Sequence, residues 1–263
     1  MPRPGRLRAP PRCEIDAAAM ARGMLLCLCM QDNTQIANVQ GAPALASTVR
    51  FFKSELRIIP GVVIPLHSML VETATKSVLV SPVGTKAEVA AVRGKHAILV
   101  EPSLLHHKRL AKAIQVLEPS ELWGPKGFEA KLPEFRGTRV FGTDPWPHDD
   151  AMSFAVIEGA PARNEVVFYH QPSRTIYTAD LAFAILEPKG FAAPLALRLM
   201  GIYKRFGVPK MWPHWVKDKA AFQRSIDKVM AWPFERIAMA HGEIIEGNAR
   251  EKLFGALRER ELV

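Results

Sequence analysis

Cysteine is nearly absent from this chain of 263 residues, and its distribution is informative: Cys13, Cys27 and Cys29 all precede residue 30. From Leu56 onward there is none, which excludes a disulfide framework and a cysteine-ligated zinc site in that stretch. Long apolar runs are also lacking. Gly23 to Met30 falls far short of the roughly 18 residues needed to span a bilayer, so no transmembrane helix is expected. A glycine-rich phosphate loop, a P-loop lysine and a dinucleotide glycine fingerprint are missing. The excess of positive charge is accompanied by no aromatic stacking motif, so no specific nucleic-acid motif is present. There is no internal repeat and no low-complexity tract.

What is present suits a globular protein. A hydrophobic content of 48% over this length can bury a substantial core. The first fifty residues differ from the rest: rich in Pro and Arg to Arg12, then small and apolar, then polar, without a clear period. Residues 1–55 read as a poorly ordered leader or a mis-assigned start, and residues 56–263 as a single domain. A domain free of cysteine favours an intracellular, cytoplasmic setting. The net charge of +9 is concentrated between Lys189 and Lys228, where nine basic residues face only Asp218 and Asp227. Such a segment suits an anionic partner or an anionic membrane surface, or forms outer-layer helices with solvated lysines.

Gly61 to Glu72 and Ser77 to Val80 are β-rich and bounded by turn residues, the pattern of a hairpin. Thr85 and Glu88 form a capping-box pair that predicts a helix over Lys86 to Arg93, with Gly94 at its left-handed terminus. His96 to Val100 reads as a buried strand, followed by a helix reaching Leu117. Leu122-Trp123 and Arg139 to Phe141 suggest brief strands. Met152 to Glu158, Glu165 to His170 and Thr175 to Asp180 suggest three more, the last two joined by a turn at Gln171 to Arg174. Residues 189–230 read as a helical insert broken by Gly207, Pro209 and Pro213. A strand over Glu235 to Ala240 and a closing helix over Asn248 to Leu262 complete the chain.

Two of these runs end on ionisable residues, Asp180 and His241, on either side of the basic insert. A carboxylate and an imidazole delivered by separate strand ends are a means of assembling a metal site. The order of elements resembles the metallo-β-lactamase superfamily, an αββα sandwich of α/β class. The carrying segments are Leu79-Val80-Ser81-Pro82-Val83-Gly84, the pair His106-His107, Thr178-Ala179-Asp180-Leu181, and Met239-Ala240-His241-Gly242-Glu243. The resemblance covers Gly61 to the C-terminus and implies a divergent branch. Only His106 and His107 stand where the superfamily carries its histidine-rich element, Ala160 stands where a further histidine belongs, and Ser81 replaces a strand-end aspartate.

The resemblance implies that Asp180 and His241 are catalytic. With one of His106 and His107, and with Glu165, they would hold a zinc, iron or manganese ion in a reduced, mononuclear site. A small-molecule ester, thioester or amide would be hydrolysed there. The alternative is a metal-free, non-catalytic binding protein that uses the basic surface of residues 189–228. Glu165 enters because the hairpin register sets it opposite Asp180, whereas His170 lies about 17 Å from Asp180 at ~3.4 Å per residue. His170 is expected to bond at the turn with Ser173 or Arg174. Two adjacent carboxylates need a cation between them, either a metal or a basic side chain. His67, and His148 with Asp149 and Asp150 in a loop read as solvated, are minor candidates. Trp146 and Phe141 are read as pocket lining or core.

Overall fold

Residues 37–39, 48–93 and 96–263 are described by a computed structural model of the protein. Ala37–Val39 (β1) pairs with Thr48–Ile59 (β2), which forms a long antiparallel hairpin with Val62–Glu72 (β3) through a turn at Pro60-Gly61. Lys76–Val80 (β4) continues the antiparallel pairing. His96–Val100 (β5), Glu121–Gly124 (β6) and Arg139–Val140 (β7) then add in parallel, giving a seven-stranded sheet in sequence order. The second sheet holds Ser153–Val156 (β8), Val166–His170 (β9), Thr175–Thr178 (β10), Arg236–Met239 (β11) and Ile245–Glu246 (β12). Its order is β12-β11-β10-β9-β8, and only β10 and β11 run parallel.

The two-residue period of the strands assigns their side chains to layers. Met69, Val71, Val78, Val80, Ile98 and Val100 face Phe168, Tyr177 and Ala238 across the space between the sheets. The alternate residues Leu70, Leu79 and Leu99 turn outward against Lys86–Val92 (α1), Leu110–Leu117 (α2) and Phe128–Lys131 (α3). On the far side Tyr169, Ile176, Ile237 and Met239 pack against Trp212–Trp215 (α5), Lys219–Ala231 (α6) and Ala249–Arg258 (α7). Ala193–Leu199 (α4) packs on β3, burying Leu197 beside Val62, Ile64 and Ile185. This is the expected αββα sandwich, with the helical insert before β11.

Local chemistry sets the helix ends. Thr85 Oγ1 accepts from the Glu88 amide and Glu88 reaches back to the Thr85 amide, the capping box expected from the sequence. Asp218 caps α6 by accepting from the Ala221 amide. Pro213 lies in the first turn of α5, where its missing N–H costs nothing, so it opens a helix instead of breaking one.

Two expectations are revised. The boundary at residue 56 falls inside β2, whose Val49, Phe51 and Phe52 are already buried, so ordered structure reaches back at least to Thr48. The loop carrying His148 is not solvated there: His148 is buried, with Nε2 3.2 Å from Glu121 Oε2 and Nδ1 3.2 Å from Lys76 Nζ. Its ring abuts Trp146 and Trp123, and Phe141 and Trp146 belong to the core between the sheets. Cys13, Cys27, Cys29 and most of the leader lie outside the described residues, as does Gly94.

Candidate metal centre

Strand ends deliver the chemistry. β10 stops at Thr178, and the chain leaves the sheet through Asp180 with its backbone amides held. The Glu165 carboxylate accepts from the amides of Ala179, Asp180 and Leu181 at 2.8, 3.0 and 3.1 Å. Trp212 Nε1 donates to the Asp180 carbonyl at 2.8 Å. The two oxygens of the Asp180 carboxylate then face different neighbours. Oδ2 accepts from Ser103 Oγ at 3.0 Å and lies 3.8 Å from the Arg163 guanidinium, which is stacked on the Trp215 ring. Oδ1 lies 3.5 Å from His106 Nε2 and 3.8 Å from His241 Nε2.

His241 is delivered by the end of β11, where Gly242 makes a close crossing possible. At φ +131° Gly242 runs so near Ala184 that a Cβ would sit 2.3 Å from the Ala184 carbonyl carbon. Ala184 N donates to the His241 carbonyl and Glu243 N donates to the Ala184 carbonyl, clamping the strand end. Phe183 stacks on the His241 ring with centroids 5.0 Å apart. His106 follows the end of β5 in the turn before α2.

Hydrogen bonding determines which ring nitrogens are available. His241 Nδ1 lies 2.9 Å from the Pro65 carbonyl, which can only accept, so Nδ1 carries the proton and Nε2 presents a lone pair. Ser81 Oγ lies 3.0 Å from His106 Nδ1 and orients that ring so that Nε2 faces Asp180 Oδ1. Ser81 holds this position in the left-handed backbone region, at φ +54°, which a non-glycine residue adopts only under tertiary constraint.

One ligand atom from each of His106, Asp180 and His241 lies within 4.8 Å of the others. Ligands bound at ~2.0–2.2 Å around a tetrahedral ion lie roughly 3.4 Å apart, so modest contraction converts the trio into a three-ligand site. The donor set, two imidazole nitrogens and a carboxylate oxygen, fits zinc or a neighbouring divalent ion. The electrostatics agree. Burial alone would raise the Asp180 carboxyl, but His106, His241 and Arg163 hold it well below the usual carboxylate range. Burial, with help from His106, drives His241 down to about 4, leaving it neutral at pH 7.

The other sequence candidates are differently disposed. Glu165 was expected to be a ligand, yet both of its oxygens are occupied by backbone amides. Burial and the adjacent Asp180 charge push its carboxyl up to about 8 against those donors. His107 is not in the trio; its Nδ1 is 3.2 Å from the Leu104 carbonyl, and it lines the cleft above the site. His67 is buried, its imidazole driven by burial and Lys53 down to about 4. His170 bonds Ser173 Oγ at 2.7 Å, as the turn suggested. The basic side chain needed near the two carboxylates is Arg163. Ser81, Ser103, Arg163 and Trp212 were not recognised in the sequence as site residues. The available signals were Ser81 and Ala160, which stand where the resemblance implies an aspartate and a histidine; the turn from Ala160 leads to Arg163.

No protein-family model and no curated protein matches the chain. Solved structures do. A metallo-β-lactamase from Pontibacter korlensis is 16% identical with a TM-score of 0.54, over 85% of this chain and 99% of that one. One from Erythrobacter litoralis is 18% identical with a TM-score of 0.54, over 80% and 92%. The Flv1 flavodiiron core from Synechocystis sp. PCC6803 is 13% identical with a TM-score of 0.55, over 87% of this chain and 61% of that one. The chain has the metallo-β-lactamase fold.

Proposed function

We propose that this protein is a hydrolase dependent on a single divalent metal ion, acting on a small-molecule ester, thioester or amide. The observation that carries the reading is the convergence of His106, Asp180 and His241, the one group of three potential metal ligands among the described residues. Asp180 Oδ1 faces the two imidazole nitrogens, while Oδ2 faces Ser103 and Arg163. Three ligands suffice for one ion, and among the described residues no second such group stands beside them to hold another. Here the Arg163 guanidinium supplies the second positive charge, which supports one ion in place of two. His106, Asp180 and His241 would hold zinc, or iron or manganese in its place. When bound, such an ion polarises a carbonyl and acidifies a water.

The chain's own residues do the rest. Ser81 and Pro65 orient the rings of His106 and His241, and His106, His241 and Arg163 together keep Asp180 ionised. His107, its imidazole lowered by burial and by Lys131, adds a further ring to the cleft wall. A cytoplasmic setting belongs to the same proposal and rests on the cysteine-free domain. No helix among the described residues is long and apolar enough to cross a membrane.

Elemental analysis and zinc titration test the reading. The expected result is one equivalent of metal per chain, lost in Asp180→Ala and in His241→Ala. Two equivalents would overturn the single-ion reading, and no binding after reconstitution with zinc, iron and manganese would overturn the metal dependence.

A further inference from the structure

The cleft above the trio has a volume of about 300 Å³ and two chemically different walls. One is aliphatic, built from Leu56, Ile58, Ile64 and Leu66 of the β2–β3 hairpin with Leu105 opposite. The other carries Lys108, which is exposed, and Arg109, whose guanidinium already donates to the Glu55 carbonyl at 3.4 Å; among the described residues Asp180 is the only carboxylate in the lining. That carboxylate is already answered by Ser103, Arg163 and the two imidazoles, so the field offered to a ligand at the rim is positive. The aliphatic wall extends outward. Ile58 is 45% exposed, and beyond it the hairpin turn carries Ile59 and the ring of Phe191, 88% exposed and packed over Gly61.

We infer that the ligand of this cleft is an amphiphile, with an unbranched aliphatic chain along the hairpin wall and an anionic group at Lys108. The inference rests on the hydrolase reading for which bond is cut: water adds across the carbonyl–heteroatom bond. An alkanoate and a protonated alcohol, thiol or amine leave, the anionic group belonging to the latter portion. Buried methylenes supply affinity in proportion to chain length, and the basic rim selects the sign of the head.

Calorimetric titration of the metal-free protein with butanoate, octanoate, decanoate and decyltrimethylammonium separates this inference from the reading it deepens. Affinity should rise with length by up to about fourfold per methylene. Decanoate should exceed decyltrimethylammonium at least tenfold. Ile58→Glu should flatten the dependence on length, and Lys108→Glu should cut the preference for the anion several-fold. Both side chains are solvent-accessible, and circular dichroism of each variant checks that it folds. Affinity independent of length, equal affinity for both head charges, or variants that bind like the parent would overturn the inference. Zinc binding without alkanoate binding would sink this inference alone; alkanoate binding in a protein that takes up no zinc would sink only the hydrolase reading.

Discussion

A single hydroxyl too local to see in sequence steers His106: Ser81 Oγ lies 3.0 Å from its Nδ1 and turns Nε2 toward Asp180. Removing that oxygen frees the imidazole to turn. Partners of metal-ligating histidines typically contribute 10–100-fold in affinity. Ser81→Ala should therefore weaken zinc binding by roughly tenfold or more. Competition with a chromophoric chelator measures it, and a zinc affinity equal to the parent's would exclude the orienting role of Ser81. Asp180, His241 and the histidine pair were legible in the sequence because a strand end fixes where a side chain emerges. The choice of His106 over His107 was not, since the two are consecutive residues of one turn and only tertiary bonding orients them. Arg163 was invisible for a similar reason: its guanidinium reaches Asp180 because Trp215, on another element, stacks beneath it.

At the scale of elements, Glu165 works as the fastener of β10. A buried carboxylate accepting three consecutive amides holds the strand exit in the shape that aims Asp180, although burial and that same Asp180 push its carboxyl up to about 8. Leaving buried amides unpaired costs about 1–3 kcal/mol each. Glu165→Ala should therefore destabilise the fold by on the order of 4 kcal/mol and weaken zinc binding as a consequence. Asp180→Ala should abolish zinc binding with a smaller loss of stability. Urea unfolding paired with zinc titration separates the cases, and loss of zinc in Glu165→Ala at unchanged stability would restore Glu165 as a ligand. Elements were read well wherever period and caps agreed, as in β5, α1 and the β9–β10 hairpin. β2 was missed altogether. Charged Arg50, Lys53 and Glu55 interrupt the apolar pattern of its first half, and a register shift between Arg57 and Ile59 breaks the alternation of its second.

Across the whole molecule, buried ionisable groups of opposite kinds bound the pH range of stability. His67 and His170, driven by burial down to about 4, bind protons in the unfolded chain below pH 6.5 but not in the folded one. Stability is therefore lost as pH falls from 6.5 toward 4, by up to on the order of 3 kcal/mol for each group. Glu101 acts on the other limb. It is fully buried, neither carboxyl oxygen has a hydrogen-bond partner among the described residues, and burial raises its carboxyl well above the usual range. Below about pH 4.5 it is protonated in both states and adds no pH dependence. As pH rises, the unfolded chain releases that proton while the folded chain retains it, so stability falls until the folded carboxyl itself ionises. Glu101→Gln removes this titration without removing bulk, and the cost of burying an amide does not vary with pH. The stability of Glu101→Gln relative to the parent should therefore increase as pH rises from 5, until the folded carboxyl itself ionises. Urea midpoints at four pH values measure the difference, and a difference that stays constant across those values would mean that Glu101 does not hold its proton in the fold.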